Sequence, residues 1–145
     1  MKYFPPTKKR EVPIWVSESL SSSHPGLFDL IVRLYDLFDL GHNVFVGMGV
    51  RTCFDYTADS LKIDSGLSFK DKIEALRKAG HISAREKALL ESLVDIGSAA
   101  IHRSWTPNDE DISVMLDALE GFIHRSIILP EGLDDIVKKI PRRGS

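Results

Sequence analysis

The sequence predicts an all-α fold: an antiparallel bundle of about five helices, with an extended N-terminal arm and a short C-terminal helix ending in a basic tail. Three observations predict it. Apolar residues recur at spacings of three and four in five successive segments. Most of those segments begin or end on recognisable cap residues. No alternating strand pattern and no Asn-Gly hairpin interrupts them. The expected division is an arm over 1–24, a bundle over 25–129 and a helix plus tail over 130–145.

In the arm, Pro5, Pro6 and Pro13 fix φ and remove backbone donors. Val12 to Val16 is too apolar for a free linker, so it is expected to lie across the body and bury Trp15. Ser19 to Ser23 reads as a polar loop. The first helix begins near Pro25 and carries Leu27, Leu30, Ile31, Leu34, Leu37 and Phe38, and Gly41 supplies a left-handed end. Asn43 is a good N-cap for a helix over about 44–62, with Val46, Val50, Cys53, Phe54, Thr57 and Leu61 on one face. Within it, Gly47-Met48-Gly49 reads as close helix packing. Ser68 caps a helix over about 69–79, closed by Gly80 and Ile82. Ser83-Ala84-Arg85-Glu86 is a capping box for a helix over about 84–103, whose seam is Leu89, Leu93, Ile96 and Ala100. Thr106-Pro107-Asn108-Asp109 opens the fifth helix, about 107–128, and Pro130 is expected to stop it. Leu133, Ile136, Val137 and Ile140 make one more short amphipathic helix.

The 145 residues fit one domain, and 43% apolar with 28% charged residues is ordinary for a soluble globular protein. The longest apolar-plus-glycine run, Val44 to Val50, falls far short of the roughly 20 residues a membrane span needs. The prolines after Met1 do not suit a signal peptide. Cys53 stands alone, which excludes an internal disulfide or a cysteine-based zinc site and points to a cytoplasmic location. The five histidines are scattered without metal-ligand spacing, and no glycine-rich phosphate loop is present. No metal or cofactor is expected. Charge is segregated. Lys2, Lys8, Lys9 and Arg10 open the chain, and Lys138, Lys139, Arg142 and Arg143 close it, with no acid in either segment. Removing those eight from 19 basic residues leaves 11 against 21 acids, about −10, over residues 11–137. The tails either contact RNA or DNA, or neutralise the acidic body.

Two polar strips are candidates for chemistry. Glu91, Asp95, Ser98 and His102 share a face of the 84–103 helix, with Arg103 and Trp105 at its end. His102 is either an imidazolium anchor or acid, or a cap on the last carbonyls. Arg51, Asp55 and Asp59 form the second strip, where Arg51 and Asp55 are spaced to pair. If that face turns inward, an Arg–Asp–His cluster with His102 results; the sequence leaves the direction open. Cys53 reads as an inert core thiol, and His124-Arg125 as compensation of a helix dipole.

Tyr3-Phe4-Pro5-Pro6, Pro13-x-Trp15, Gly41-His42, Met48-Gly49-Val50-Arg51 with Asp55, Leu67 to Ile73, Ala79 to Ser83, Ile96 to His102, Leu129-Pro130 and Ile140-Pro141-x-Arg143 together resemble a bacterial domain-of-unknown-function family. That family also occurs appended to type I restriction motor subunits and is grouped with the HEPN superfamily of helical bundles. The resemblance implies a bundle, a homodimer or partner protein, and a link to defence systems. Active HEPN ribonucleases carry Arg and His separated by four to six residues, and no such pair exists here; Arg77 and His81 have three between them. Ser98 and Asp55 stand where the family has Asn and Glu, while His102 is retained. The leading expectation is therefore a non-catalytic HEPN-like interaction domain of a bacterial defence or regulatory assembly. One alternative is a metal-independent ribonuclease using His102, with Arg51 or Arg103 holding phosphate. The other is a nucleic-acid binder acting through Lys8, Lys9, Arg10, Lys138, Lys139, Arg142 and Arg143. Catalytic candidates are thus His102, Arg51, Asp55 and Arg103, and binding candidates add Ser98.

Overall fold

Helix follows helix from Val16 to Lys139, and no strand occurs among the described residues, which in this computed structural model are 8–143. Residues 1–7, with Lys2 and the Tyr3-Phe4-Pro5-Pro6 motif, and residues 144–145 lie outside them.

The first correction falls on the arm. Residues expected to be extended or looped form α1, a wide π turn Val16–Leu20 continued by an α turn Ser21–Ser23. The serine run is helical because its hydroxyls donate back along the helix. Ser22 reaches the Glu18 carbonyl at 3.2 Å and Ser23 the Ser19 carbonyl at 3.0 Å. Val16 and Leu20, four apart, drop into the core, while Trp15 is only partly covered and rests against His124 at 5.4 Å between ring centres.

α2 (Pro25–Asp39) ends on Gly41 at φ +82°. α3 (Asn43–Ser60) starts without a side-chain cap, contrary to the role expected of Asn43. The Asn43 amide instead donates to the Pro107 carbonyl at 3.0 Å and to Asp109 Oδ1 at 2.9 Å, tying α3 to the start of the helix that opens at Asp109. α4 (Phe69–Lys78) is capped by Ser68 and ends on Gly80 at φ +83°. α5 (Ala84–His102) carries the capping box expected of Ser83 and Glu86.

α6 (Asp109–Ile123) begins two residues later than expected. Pro107 is held by Asn43, so Asn108 becomes the cap, in a box with Asp111. Nor does Pro130 end the helical path. A π turn, His124–Ile128, precedes it, and α7 (Leu129–Lys139) continues beyond. A proline cannot donate and crowds the carbonyl four residues back. Both problems are eased where the i→i−4 register is already broken.

Glycine contacts orient the bundle. A Cβ on Gly49 would meet Leu34 Cδ2 at 2.2 Å, and one on Gly26 would meet the Tyr56 hydroxyl at 2.1 Å, so α2 and α3 run antiparallel. Gly47 and Gly97 bring α3 and α5 together, as the Gly47-Met48-Gly49 pattern indicated: a Cβ on Gly97 would lie 3.2 Å from the Gly47 carbonyl oxygen. α3 is the hub, packed by α2, α5 and α6. α4 packs on α5 and reaches α3 through side chains of its first turn, with Phe69 meeting Arg51 and Lys72 meeting Asp55. The core centres on Phe54, stacked on Phe122 at 5.5 Å and on Phe69 at 5.6 Å. The seam of α5 is rotated from the expected one: Leu90, Leu93, Gly97 and Ala100 are buried, and Leu89 is 57% exposed.

Cys53 is fully buried, and burial pushes its thiol pKa up to about 12. It is expected to resist a water-soluble disulfide reagent in the native protein and to react once denaturant is added. Fast native labelling would contradict this placement.

Candidate functional site

α5 carries the first strip to the surface. Asp95 and His102 are exposed and Ser98 is half-covered. The His102 ring makes no hydrogen bond among the described residues, so it does not cap the last carbonyls of its helix. The backbone N–H of Arg103 closes that end on Ala99 instead. Ser104 then turns the chain at φ +51°, a left-handed value that costs a residue with a Cβ about 1 kcal/mol. Arg103 and Trp105 line an open, mostly apolar hollow of about 460 Å³ with Asp95, Ile96 and Ala99.

The second strip faces elsewhere. Asp55 does not pair with Arg51; its carboxylate accepts from Lys72 Nζ at 2.8 Å. The Arg51 guanidinium lies over the Phe69 ring, 3.6 Å from its centre, with Lys72 on the same ring at 5.6 Å. Both side chains are thus turned to α4, and no hydrogen bond or ion pair among the described residues links either to His102. The Arg–Asp–His cluster is not assembled.

The basic residues of the arm are also engaged. Lys9 pairs with Asp109 at 3.2 Å and sits over Phe38, and its backbone N–H donates to Asp39. Asp109 is held below the usual carboxylate range, first by the Asn43 hydrogen bond and then by Lys9. Arg10 grips Glu120 with both prongs, at 3.0 and 2.8 Å, pairs with Asp117, and donates to the Ser113 carbonyl at 3.1 Å. Tyr35 adds a third donor to Glu120 at 2.9 Å. Burial lowers the Arg10 pKa, but Glu120 and Asp117 outweigh it and hold the guanidinium above its ordinary value. Burial, with the Glu120 charge, raises that of Tyr35. This Arg10–Glu120–Tyr35 network went unread in the sequence. The available signal was Glu120 itself, four residues after Leu116 on the buried stripe of α6.

His124 and Arg125 have tertiary partners rather than a dipole role alone: His124 packs on Trp15, and Arg125 donates to Glu86 at 2.9 Å. Among the described residues no three His, Cys, Asp or Glu side chains converge as metal ligands would, and no helix is long and apolar enough to cross a membrane. Among the large apolar side chains that stand in solvent, Phe45 and Met48 lie on α3 and Ile101 near the end of α5, Trp105 lies on the α5–α6 side beside Ile96 and Val114, and Leu133, Ile136 and Val137 line α7.

A helical bundle with a charged arm clamped across it, and with apolar side chains left on its outer faces, is the class the geometry defines. The model of the family described as a domain of unknown function, DUF4145, matches residues 33–141, so the chain belongs to that family. No curated protein and no solved structure matches it.

Proposed function

We propose that this chain is a HEPN-like protein-interaction module of a bacterial defence or regulatory assembly, and that it does not cut RNA. The observation that carries the reading is the apolar surface around Trp105, where Ile96 and Ala99 of α5 and the exposed Val114 of α6 adjoin it. Apolar side chains that adjoin one another in solvent mark contact surfaces, whereas singly exposed ones do not. The charge arrangement supports the same reading. Phosphate chemistry needs a cation and an acid or base within reach of one phosphate. His102 instead shares its face with Asp95 and Glu91, which repel a phosphate by on the order of 1 kcal/mol each at a partly exposed site. Arg51 is stacked on Phe69, and Lys9 and Arg10 are paired with acids of the same chain. A tail-mediated nucleic-acid contact therefore loses two of its expected cations.

The test incubates purified full chain with labelled RNA, beside a His102→Ala variant, and captures partners from the source cells with wild-type and Trp105→Asp baits. We expect intact RNA in both reactions and a stoichiometric partner lost on Trp105→Asp, with the variant still helical. RNA cleavage that disappears in His102→Ala would overturn the reading in favour of a ribonuclease.

A further inference from the structure

Asp95 divides two apolar hollows. Its neighbours in sequence, Val94 and Ile96, lie about 100° to either side of it around α5. Val94 lines a hollow of about 280 Å³ with Phe69 and Ile73 of α4. Ile96 lines the other, the hollow of about 460 Å³ that also holds Ala99 and Trp105. Asp95 itself lines both. Its side chain is exposed, and its carboxylate accepts no hydrogen bond and joins no ion pair among the described residues. Lys70, on α4 across the first hollow, and Arg103, about two turns along α5 in the second, both leave it unpaired. Glu91, one turn back, is the other acid of the first hollow and lies 4.0 Å from Lys87.

We propose that this face docks a segment of a partner protein in which one arginine or lysine stands between bulky apolar side chains. The apolar side chains enter the two hollows, and the cation sits on Asp95 between them. The chemistry of the divide selects that occupant. Filling both hollows strips water from the carboxylate that separates them, and a carboxylate desolvated without a partner is costly. The chain supplies no such partner, so the occupant must. A neutral donor satisfies the hydrogen bond but not the charge. A long basic side chain does both, and its methylene stem adds apolar contact on the way. Arginine suits the place best, because its planar guanidinium can lie against the apolar wall while it donates to both carboxylate oxygens. Charge at longer range acts the same way. Residues 11–137 carry about −10, which favours encounter with a cationic partner and opposes a nucleic acid. This inference names the partner chemistry of the Trp105 surface and rests on the reading of the chain as an interaction module.

The test selects random peptides displayed on phage against the immobilised full chain, then titrates the enriched peptides into wild type and variants. The expected consensus is a single arginine or lysine with large apolar residues on both sides. Asp95→Asn should weaken binding by about tenfold or more, and Asp95→Arg should abolish it. Peptides remade with glutamate in place of the cation should bind Asp95→Arg and not wild type. Both variants should keep wild-type helicity, because Asp95 stands in solvent without a partner in its own chain. No enrichment, a consensus without a basic residue, or binding that Asp95→Arg leaves unchanged would overturn the proposal. So would self-association of the chain, seen by sedimentation, that Asp95→Arg removes, since a second copy would then be the occupant. A cellular partner lost on Trp105→Asp but kept on Asp95→Arg would sink this inference and leave the interaction-module reading standing. RNA cleavage that depends on His102 would sink that reading instead.

Discussion

Replacing Arg10 with alanine is expected to destabilise the fold by about 3–5 kcal/mol, the usual consequence of removing one partner from a buried ion pair. Glu120 is 8% exposed and accepts two hydrogen bonds from Arg10 and one from Tyr35. Without the guanidinium, a carboxylate is left in the interior with a single neutral donor. The melting temperature should fall by roughly 10 °C or more. The arm should also come loose, because Arg10 is its main polar tie to α6 through Ser113, Asp117 and Glu120. Trp15 fluorescence should then shift to longer wavelength, and proteolysis should begin ahead of Val16. Arg10→Lys keeps the charge but not the two-pronged geometry, and should fall between. Arg33→Ala breaks only the exposed Arg33–Asp29 pair and should cost less than about 0.5 kcal/mol. An Arg10→Ala protein as stable as wild type, with an unchanged Trp15 spectrum, would show that the arm is not clamped this way.

That network marks where sequence reading ran out. Helices α2 to α6 were legible chiefly from their apolar period; Ser68, Ser83 and Glu86 cap as their positions indicate, while Asn43 does not. The arm was misread because proline and serine composition outweighed the four-residue spacing of Val12, Val16 and Leu20. Serine is disfavoured in helices only while its hydroxyl competes for the backbone; here the hydroxyls donate to carbonyls one turn back and the helix persists. Pro130 was misread because a π turn is a property of the backbone path, with no residue code of its own. The candidate site was legible as strips and not as a site. Spacing placed Arg51 with Asp55 on one face and Asp95, Ser98 and His102 on another. Which way each face turned depended on Phe69 and Lys72, residues of a different helix. The charge segregation was read as two alternatives, and Lys9 and Arg10 pair with Asp109, Asp117 and Glu120 of the chain itself.

Gly97→Val is expected to cost about 3 kcal/mol or more, at the upper end of what overpacking a filled interior does. A Cβ at this position would sit 3.2 Å from the Gly47 carbonyl oxygen, and the obstacle is backbone, which cannot swing aside as a side-chain tip can. One carbon asks for a shift of a few tenths of an ångström, and alanine recovers up to about 1 kcal/mol of helix propensity, so Gly97→Ala should be close to neutral. The two γ-carbons of valine have no such compensation. They force α5 away from α3, which α2 and α6 also use as their support. Gly132→Ala calibrates the comparison: nothing lies within 4 Å of its added carbon, so it should stabilise α7 by about 0.5–1 kcal/mol. Urea unfolding of the three variants separates packing from propensity. The expected order of stability is Gly132→Ala, then wild type with Gly97→Ala, and far below them Gly97→Val. If Gly97→Val unfolds at the same urea concentration as Gly97→Ala, α3 and α5 are not in backbone contact, and the end of α5 that presents His102, Arg103 and Trp105 is held by something other than the Gly47–Gly97 crossing.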